Sequence, residues 1–470
     1  MSHVGLARIG QRDLARILER ADDETRRRLS GQLDALDLDR VGRLIEDLVA
    51  TSSDAGDFSG LEPAEVIRLG EDDRTAIAAG RALLEANRVA AVLVAGGQGT
   101  RLGFDGPKGA FPVGSVTGRT LFAHHAARIA AVRARYGCDL PWYVMTSPQN
   151  DAATREIFAA EDWYGLPPDS VRVFVQGELP AVDRRTGAIL REAPDRLALS
   201  PDGHGGIFPA LVREGILDDM RDRGVTTFVT FNVDNPLLRV ADPRFLGHHT
   251  LAGSEMSSVV VRKQDPSERV GVVAVHEGRS VLVEYSDLPD DVAALRDDDG
   301  GLLFWAGSIA AHAIEREFAE RVGAEGGLPY HRAVKTVPYI DEDGVLVTPE
   351  EPNAVKFEAF MFDALPLAER TVNVEADRAA EFSPIKNAEG ADSPETARRD
   401  LNRLYASWLR EAGFDIPSDE AGDPPMDIEI DPRFALDADD LRARLPEGFS
   451  PGPDSPVLLD AARTVDDLPS

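Results

Sequence analysis

Gly96, Gly97, Gly99 and Gly103 are interleaved with Gln98, Thr100, Arg101 and Leu102, and Pro107-Lys108-Gly109 follows shortly after. These residue types suit one chemistry, the holding of phosphate. Glycines let the backbone approach a ligand closely and turn amides inward, while a guanidinium and an ammonium add positive charge. Two common phosphate loops are excluded. A dinucleotide fingerprint requires Gly or Ala at its sixth position, where Gly97-Gln98-Gly99-Thr100-Arg101-Leu102 has Leu. A P-loop requires Ser or Thr after its Gly-Lys pair, whereas Lys108 lies between Pro107 and Gly109.

Such a loop needs a rigid support. The apolar run Val89-Ala90-Ala91-Val92-Leu93-Val94-Ala95 reads as a strand buried on both faces, and hence as part of a parallel sheet flanked by helices. A helix over 72–87 leads into it, and a helix over 120–136 follows. Further strands are expected at 140–146, at 171–175 ending in Gln176-Gly177, and at 226–233 ending in Asp234-Asn235-Pro236. The alternation predicts an α/β, Rossmann-like doubly wound core. Ligands collect at the carboxyl ends of such strands, where Gly96-Gly97, Gln176 and Asp234 fall. The core sheet is expected to be mixed, and strands at 256–261, 270–276 and 280–285 to form β-rich insertions beside it, the natural wall for a second substrate.

Apolar residues at helical spacing (Leu14, Ile17, Leu18; Leu29, Leu33, Leu36; Val41, Leu44, Ile45, Leu48) predict three short helices near the N-terminus. The polar run Thr51–Asp57 reads as a linker, and the Asp-rich stretch Asp297–Gly301 as a turn. A helix over 396–412 precedes a Pro/Gly/Asp-rich tail. The expected division is a helical domain over 1–86, a catalytic α/β domain over 87–392 and a small C-terminal domain over 393–470.

The chain has 470 residues, 43% hydrophobic and 28% charged, the composition of a soluble globular protein. MSHVGLARIG contains no apolar leader, and no stretch is long and apolar enough to span a membrane, so a cytoplasmic location and no membrane partner are expected. The single Cys138 excludes an intrachain disulfide and reads as a small buried hydrophobe. A formal charge of −31 argues against a nucleic-acid partner. Lysine occurs only at 108, 263, 335, 356 and 386. Such scarcity gives these few lysines weight as site candidates, although Lys263 and Lys335 read as surface residues.

Taken with these elements, the loop resembles the GGxGTRLG…PKG signature of the sugar nucleotidyltransferases. The blocks VLVAGGQGTRLG, PKG, LPWYVMTS, QGELPA, SPDGHGG, NVDN, ADPRF, VGVV, VEYSDL, FEAFMFD and FSPIKNA occur in the order of one branch, the UTP-dependent UDP-N-acetylhexosamine pyrophosphorylases. The similarity runs from about Asn87 to Phe414. It implies a nucleotidyltransferase core acting on UTP and a sugar 1-phosphate, with diphosphate as product and Mg²⁺ as cofactor. By the same resemblance the backbone of Ala95, Gly96, Gly97 and Gly203 and the side chain of Gln176 would hold uracil. Arg101 and Lys108 would clamp the UTP phosphates, Asp234 would hold Mg²⁺, and Lys356 and Lys386 would neutralise phosphate charge. Glu284 and Tyr285 would contact the sugar.

The resemblance is incomplete where the sugar is chosen. N-acetylglucosamine-using members carry Asn at the place of His204 and an NAGN-like run where this chain reads Trp305-Ala306-Gly307-Ser308. His204 is closer to the UDP-glucose and broad-specificity enzymes, whereas Gly271 matches the glycine beside which the family leaves room for an acetamido group. An N-acetylhexosamine 1-phosphate is therefore the expected substrate, with glucose or galactose 1-phosphate as the alternative. A non-catalytic nucleotide-sugar binding protein is the alternative of another class.

Overall fold

The computed structural model describes residues 2–49, 60–70, 72–324, 326–452 and 455–460; the expected linker Thr51–Asp57 lies outside them. The chain divides into two compact units, each assembled from segments distant in sequence.

One unit comprises Met1–Asp57, Gln176–Ala210 and Val322–Ala364. Four helices, Ser2–Arg8, Arg12–Arg20, Asp23–Asp34 and Leu38–Leu48, open it, one more than the apolar spacing predicts. Ser2–Arg8 shows no repeating stripe and is anchored by fully buried Leu6. Asp22 starts the third helix by accepting from the amides of Glu24 and Thr25, and Asp37 starts the fourth by accepting from that of Arg40. Leu14, Leu18, Leu29, Leu33 and Val41 pack with Leu179, Val182, Leu197, Val355 and Phe357. Those partners belong in part to an antiparallel sheet ordered Tyr330–Lys335, Ala354–Ala359, Val182–Asp183. Gln11 stitches the first segment to the second, donating to Gly187 O at 2.8 Å and accepting from Ile189 N at 2.7 Å.

The other unit comprises Phe58–Val175, Leu211–Arg321 and Leu365–Ser470, and is built on a ten-stranded mixed sheet. Val89–Val94 lies at its centre because Val, Ala and Leu cover both its faces without a polar residue. It pairs in parallel with Thr227–Asn232 on one side and Trp142–Thr146 on the other, and Val171–Val175 follows in parallel. Ala306–Glu315 runs antiparallel to Thr227–Asn232 and makes the sheet mixed. Met256–Arg262, Val272–His276 and Arg279–Val283, expected as insertions, are hydrogen-bonded members of this same sheet.

Helices cover the sheet by close approach. Thr120 caps Leu121–Tyr136, and Gly137, at φ 60°, ends it. Arg74–Glu85 packs on Pro243–Ala252 through glycines: a Cβ on Gly80 would fall 1.9 Å from Pro243 O, and one on Gly247 1.7 Å from Ala76 O. Pro394–Glu411, started by a Ser393–Thr396 capping box, places Leu401, Leu404 and Trp408 in the same core as Trp142 and Phe158. The parallel pair Ile428–Ile430 and Val457–Leu459 joins that core. Cys138 is buried, and burial raises its thiol pKa, as suits an inert packing residue.

Candidate active site

In the sheet unit, Val89–Val94 empties into the glycine loop, which folds back on itself. Ala95 N donates to Met145 O at 2.8 Å, Gly99 N to Gly106 O at 2.9 Å and Lys108 N to Gly97 O at 3.1 Å. Gly103 (φ 69°) and Gly106 (φ 144°) take backbone conformations that side chains disfavour. Gly109 has another purpose: a Cβ there would lie 2.2 Å from the Phe122 ring, so it brings the loop against the following helix. At Gly97 only the Lys108 stem comes near, 3.9 Å from a built Cβ, leaving its open side free.

Two of the expected residues meet. Lys108 Nζ donates to Asp234 Oδ2 at 2.8 Å, and both side chains are 16% exposed. Their approach follows from the strand register, which sets Asn232 opposite Val94 at the two carboxyl ends. Asp234 Oδ1 makes no hydrogen bond among the described residues, so a hard oxygen donor stays available. No group of three or more His, Cys, Asp or Glu that could hold a metal occurs among the described residues. A cation held here would take one protein carboxylate and draw its remaining ligands from phosphate and water, the habit of Mg²⁺.

Lys386 stands close by in the chain fold, since Ile385 N donates to Asp234 O at 2.9 Å. Its Nζ lies 3.6 Å from Asp392 Oδ2 and 5.8 Å from the Phe382 ring centre. The Arg101 side chain is exposed and has no ion pair or hydrogen bond among the described residues. The sheet unit thus offers a paired half-buried cation, a free guanidinium and a weakly paired ammonium. That is positive charge for polyanionic phosphates in a protein whose formal charge is −31.

The residues expected at the sugar lie farther along this sheet. Ser308 N donates to Gly271 O at 2.9 Å, and Ser308 Oγ accepts from Ala310 N at 3.2 Å. The space a Cβ on Gly271 would need is taken by Leu282, 2.7 Å away, rather than left open. Glu284 is half-buried, with its carbonyl closing a turn to Asp287 and Leu288, and Tyr285 is 46% exposed. Trp305 is buried with two guanidiniums over its ring, Arg68 at 4.0 Å and Arg262 at 4.8 Å from the ring centre, so its indole serves packing. Lys263, expected on the surface, is 6% exposed, and burial lowers its pKa. Its ammonium is withdrawn because the strand Met256–Arg262 belongs to the central sheet. Lys335, by contrast, is exposed as expected.

In the helical unit, Gln176 Nε2 donates to Gly203 O at 3.2 Å and to Asp202 Oδ1 at 3.3 Å. Gly203 is at φ 85°, and a Cβ there would fall 2.3 Å from Ala359 O, so no other residue fits. His204 Nδ1 accepts from Met361 N at 3.0 Å, which leaves Nε2–H as a donor. Burial pushes its pKa down to about 4, so the ring is neutral at physiological pH. It lies against Phe360 and Phe362, and His331 stacks on Phe360 at 4.8 Å. Lys356, half-buried on Ala354–Ala359, has no ion pair among the described residues.

Residues 62–392 match the family described as UTP--glucose-1-phosphate uridylyltransferase (UDPGP). The chain belongs to this family. It is 41% identical over 397 residues to the human UDP-N-acetylhexosamine pyrophosphorylase-like protein 1, covering 80% of this chain and 77% of that protein. The structure of a putative UDP-N-acetylglucosamine pyrophosphorylase from Entamoeba histolytica is similar at a TM-score of 0.77, with 31% identity over 85% of this chain and all of that one. That of the uridine diphosphate N-acetylglucosamine pyrophosphorylase from Trypanosoma brucei is similar at 0.83, with 26% identity and 98% of each chain covered.

In this UDPGP-family chain, sequence reasoning overlooks the residues beneath the loop. Buried Asn150 donates through Nδ2 to Ala95 O at 2.9 Å and to Gly97 O at 3.1 Å, fixing the loop from below. Its signal is positional only: it stands just past the carboxyl end of Trp142–Thr146. His124 and His125, both buried, approach the carbonyls of Pro236 (2.9 Å) and Val233 (3.0 Å) with Nε2. Burial lowers both pKa values, that of His125 to about 4, so both rings are neutral; His125 Nε2–H donates a hydrogen bond to Val233 O, while His124 Nε2 accepts one from Arg128 Nε at 3.1 Å. Family enzymes of this kind generally use a divalent metal ion, and none of the described helices is long and apolar enough to cross a membrane.

Proposed function

We propose that the protein is a UTP:N-acetylhexosamine-1-phosphate uridylyltransferase, forming UDP-N-acetylhexosamine and diphosphate in a reversible reaction of the cytoplasm. The observation that carries this reading is the Lys108–Asp234 pair at the foot of the glycine loop, with Arg101 unpaired beside it in sequence. The names of the relatives, N-acetylhexosamine and N-acetylglucosamine pyrophosphorylases, supply the sugar.

A phosphate oxygen of the sugar phosphate attacks the UTP α-phosphorus. The bond from that phosphorus to the oxygen bridging it to the β-phosphate breaks, and diphosphate leaves with the electron pair. The nucleophile is already anionic, its second pKa being about 6, so no general base is needed. Catalysis then rests on in-line positioning and on neutralising charge, the tasks assigned to Arg101, Lys108 and Lys386. Asp234 fits Mg²⁺ as its carboxylate ligand, and Mg²⁺ when bound supplies further charge neutralisation. Ala95, Gly96, Gly97, Gln176 and Gly203 are assigned to uracil, Lys356 to phosphate, and His204, Gly271, Glu284, Tyr285 and Ser308 to the sugar. The division into 1–86, 87–392 and 393–470 is kept as the functional segmentation.

Glucose 1-phosphate is the second reading, favoured by the family description and by Leu282 filling the space beside Gly271. The test is diphosphate release with UTP, Mg²⁺ and a panel of N-acetylglucosamine, N-acetylgalactosamine, glucose and galactose 1-phosphates. We expect the largest kcat/KM with an N-acetylated substrate. A value for glucose 1-phosphate tenfold above both would establish the second reading, and no release with any of the four would sink the transferase assignment.

A further inference from the structure

Within the sheet unit, the glycine loop and Lys386 account for only part of the positive charge. A separate cavity of about 270 Å³ opens between the helices Arg74–Glu85, Leu121–Tyr136 and Pro394–Glu411 and the chain segments 237–244 and 430–437. Against a formal charge of −31, its lining sets Arg81, Arg128, Arg135, Arg239 and Arg244 against two carboxylates, Asp437 and Asp242, the latter accepting from Arg244 N at 2.9 Å. Arg135 and Arg244 are committed to carboxylates, the former to Asp437 and Asp440 and the latter to Asp73. Arg81, Arg128 and Arg239 are not. Arg81 and Arg239 are exposed side chains of the lining with no ion pair or hydrogen bond among the described residues.

Arg128 carries the stronger signal, being only 6% exposed. Its Nε donates to His124 Nε2 at 3.1 Å and its Nη1 to the carbonyls of Leu237 and Leu238, while its Nη2 has no hydrogen-bond partner among the described residues. Tyr405 lines the same cavity at 4% exposure, and its hydroxyl likewise makes no hydrogen bond to any described residue. Neither atom is sealed from solvent, so each is a donor available to whatever occupies the cavity they line. Two such donors in one cavity, with two free guanidiniums in its lining, suit a ligand rich in acceptors.

We propose that this cavity binds a small phosphate monoester bearing a ring, such as a sugar phosphate or a nucleoside monophosphate. A phosphate monoester offers two negative charges and three acceptor oxygens to the planar donors of Arg81, Arg128 and Arg239. Tyr136, Tyr405 and Trp408 form an aromatic wall suited to a ring face. The volume lies at the lower edge of the range for small-molecule sites, which selects a metabolite-sized ligand. The site shares no side chain with the glycine loop, Asp234 or Lys386.

The experiment is calorimetric titration of the full chain, in excess UTP to fill the nucleotide site, with AMP, glucose 6-phosphate and inorganic phosphate as probes. We expect 1:1 binding of AMP or glucose 6-phosphate, at least tenfold tighter than inorganic phosphate. Arg81→Ala/Arg239→Ala should weaken that binding at least tenfold with an unchanged melting temperature, because both side chains are exposed and unpaired. Tyr405→Phe, which removes only the hydroxyl, should weaken it severalfold. No binding of any probe, equal affinity for inorganic phosphate, or undiminished affinity in the double variant would each overturn the proposal.

Discussion

Lys108 is the residue on which the proposed chemistry turns. Its ammonium is held 2.8 Å from Asp234 in a half-buried setting, where charge acts on a bound phosphate with little screening by water. Lys108→Ala should lower kcat/KM by a hundredfold or more, about 3 kcal/mol of transition-state stabilisation, with an unaltered fold. Diphosphate release beside a thermal melt checks this, and near-parental activity at saturating UTP would remove Lys108 from the mechanism. At this scale the sequence is legible where chemistry is written locally. The glycines, Arg101 and Lys108 stand within one short stretch, and excluding two known loops narrows what they can do. Asn150 is not legible, because its hydrogen bonds reach back 53 and 55 residues and nothing near it in sequence distinguishes it from an exposed amide. Lys263 is misread for the same reason, since its burial depends on a strand partner far along the chain.

Among the elements, the segment after Thr227–Asn232 is the most constrained. Asn235 Nδ2 donates to Glu381 O at 2.8 Å and its Oδ1 accepts from Ser383 N at 3.1 Å, tying the Asp234 turn to the stretch that carries Lys386. Glu381 itself is buried, and desolvation, aided by Asp242, pushes its carboxyl pKa up to about 7. A carboxyl whose folded pKa is raised stabilises the fold below its unfolded pKa near 4.5. That contribution is lost as pH rises through 7. Glu381→Gln should therefore raise the melting temperature relative to the parent more at pH 8 than at pH 5, and an equal difference at both would refute the assignment. His125, with its pKa lowered to about 4, acts in the opposite sense, its contribution being lost as pH falls from 6.5 through 4. Strand and helix positions follow from period and composition, as at Val171–Val175, which appears where the apolar run places it. Pairing does not. Met256–Arg262, Val272–His276 and Arg279–Val283 are strands in either arrangement, and only long-range hydrogen bonds decide that they extend the main sheet.

Across the whole molecule, 82 acidic against 51 basic residues leave a repulsion that local ion pairs relieve only in part. Added salt shortens the range of that repulsion to about 10 Å at 0.1 M. Melting temperature should accordingly rise as KCl goes from 0.01 to 0.5 M; a flat or falling curve would mean that acidic side chains are compensated pair by pair. The division into two units also bears on how the protein is made. The four N-terminal helices end at Leu48, yet their core is completed by Val355 and Phe357. The glycine loop's sheet, begun at Val89, has a core that closes only with Val457 and Leu459. At the ribosome's pace of about 5–20 residues per second, the first helices wait on the order of 15–60 s with their leucines uncovered. Synthesis thus exposes a long-lived, apolar nascent chain, and the demand falls on whatever shelters it until the last segments arrive.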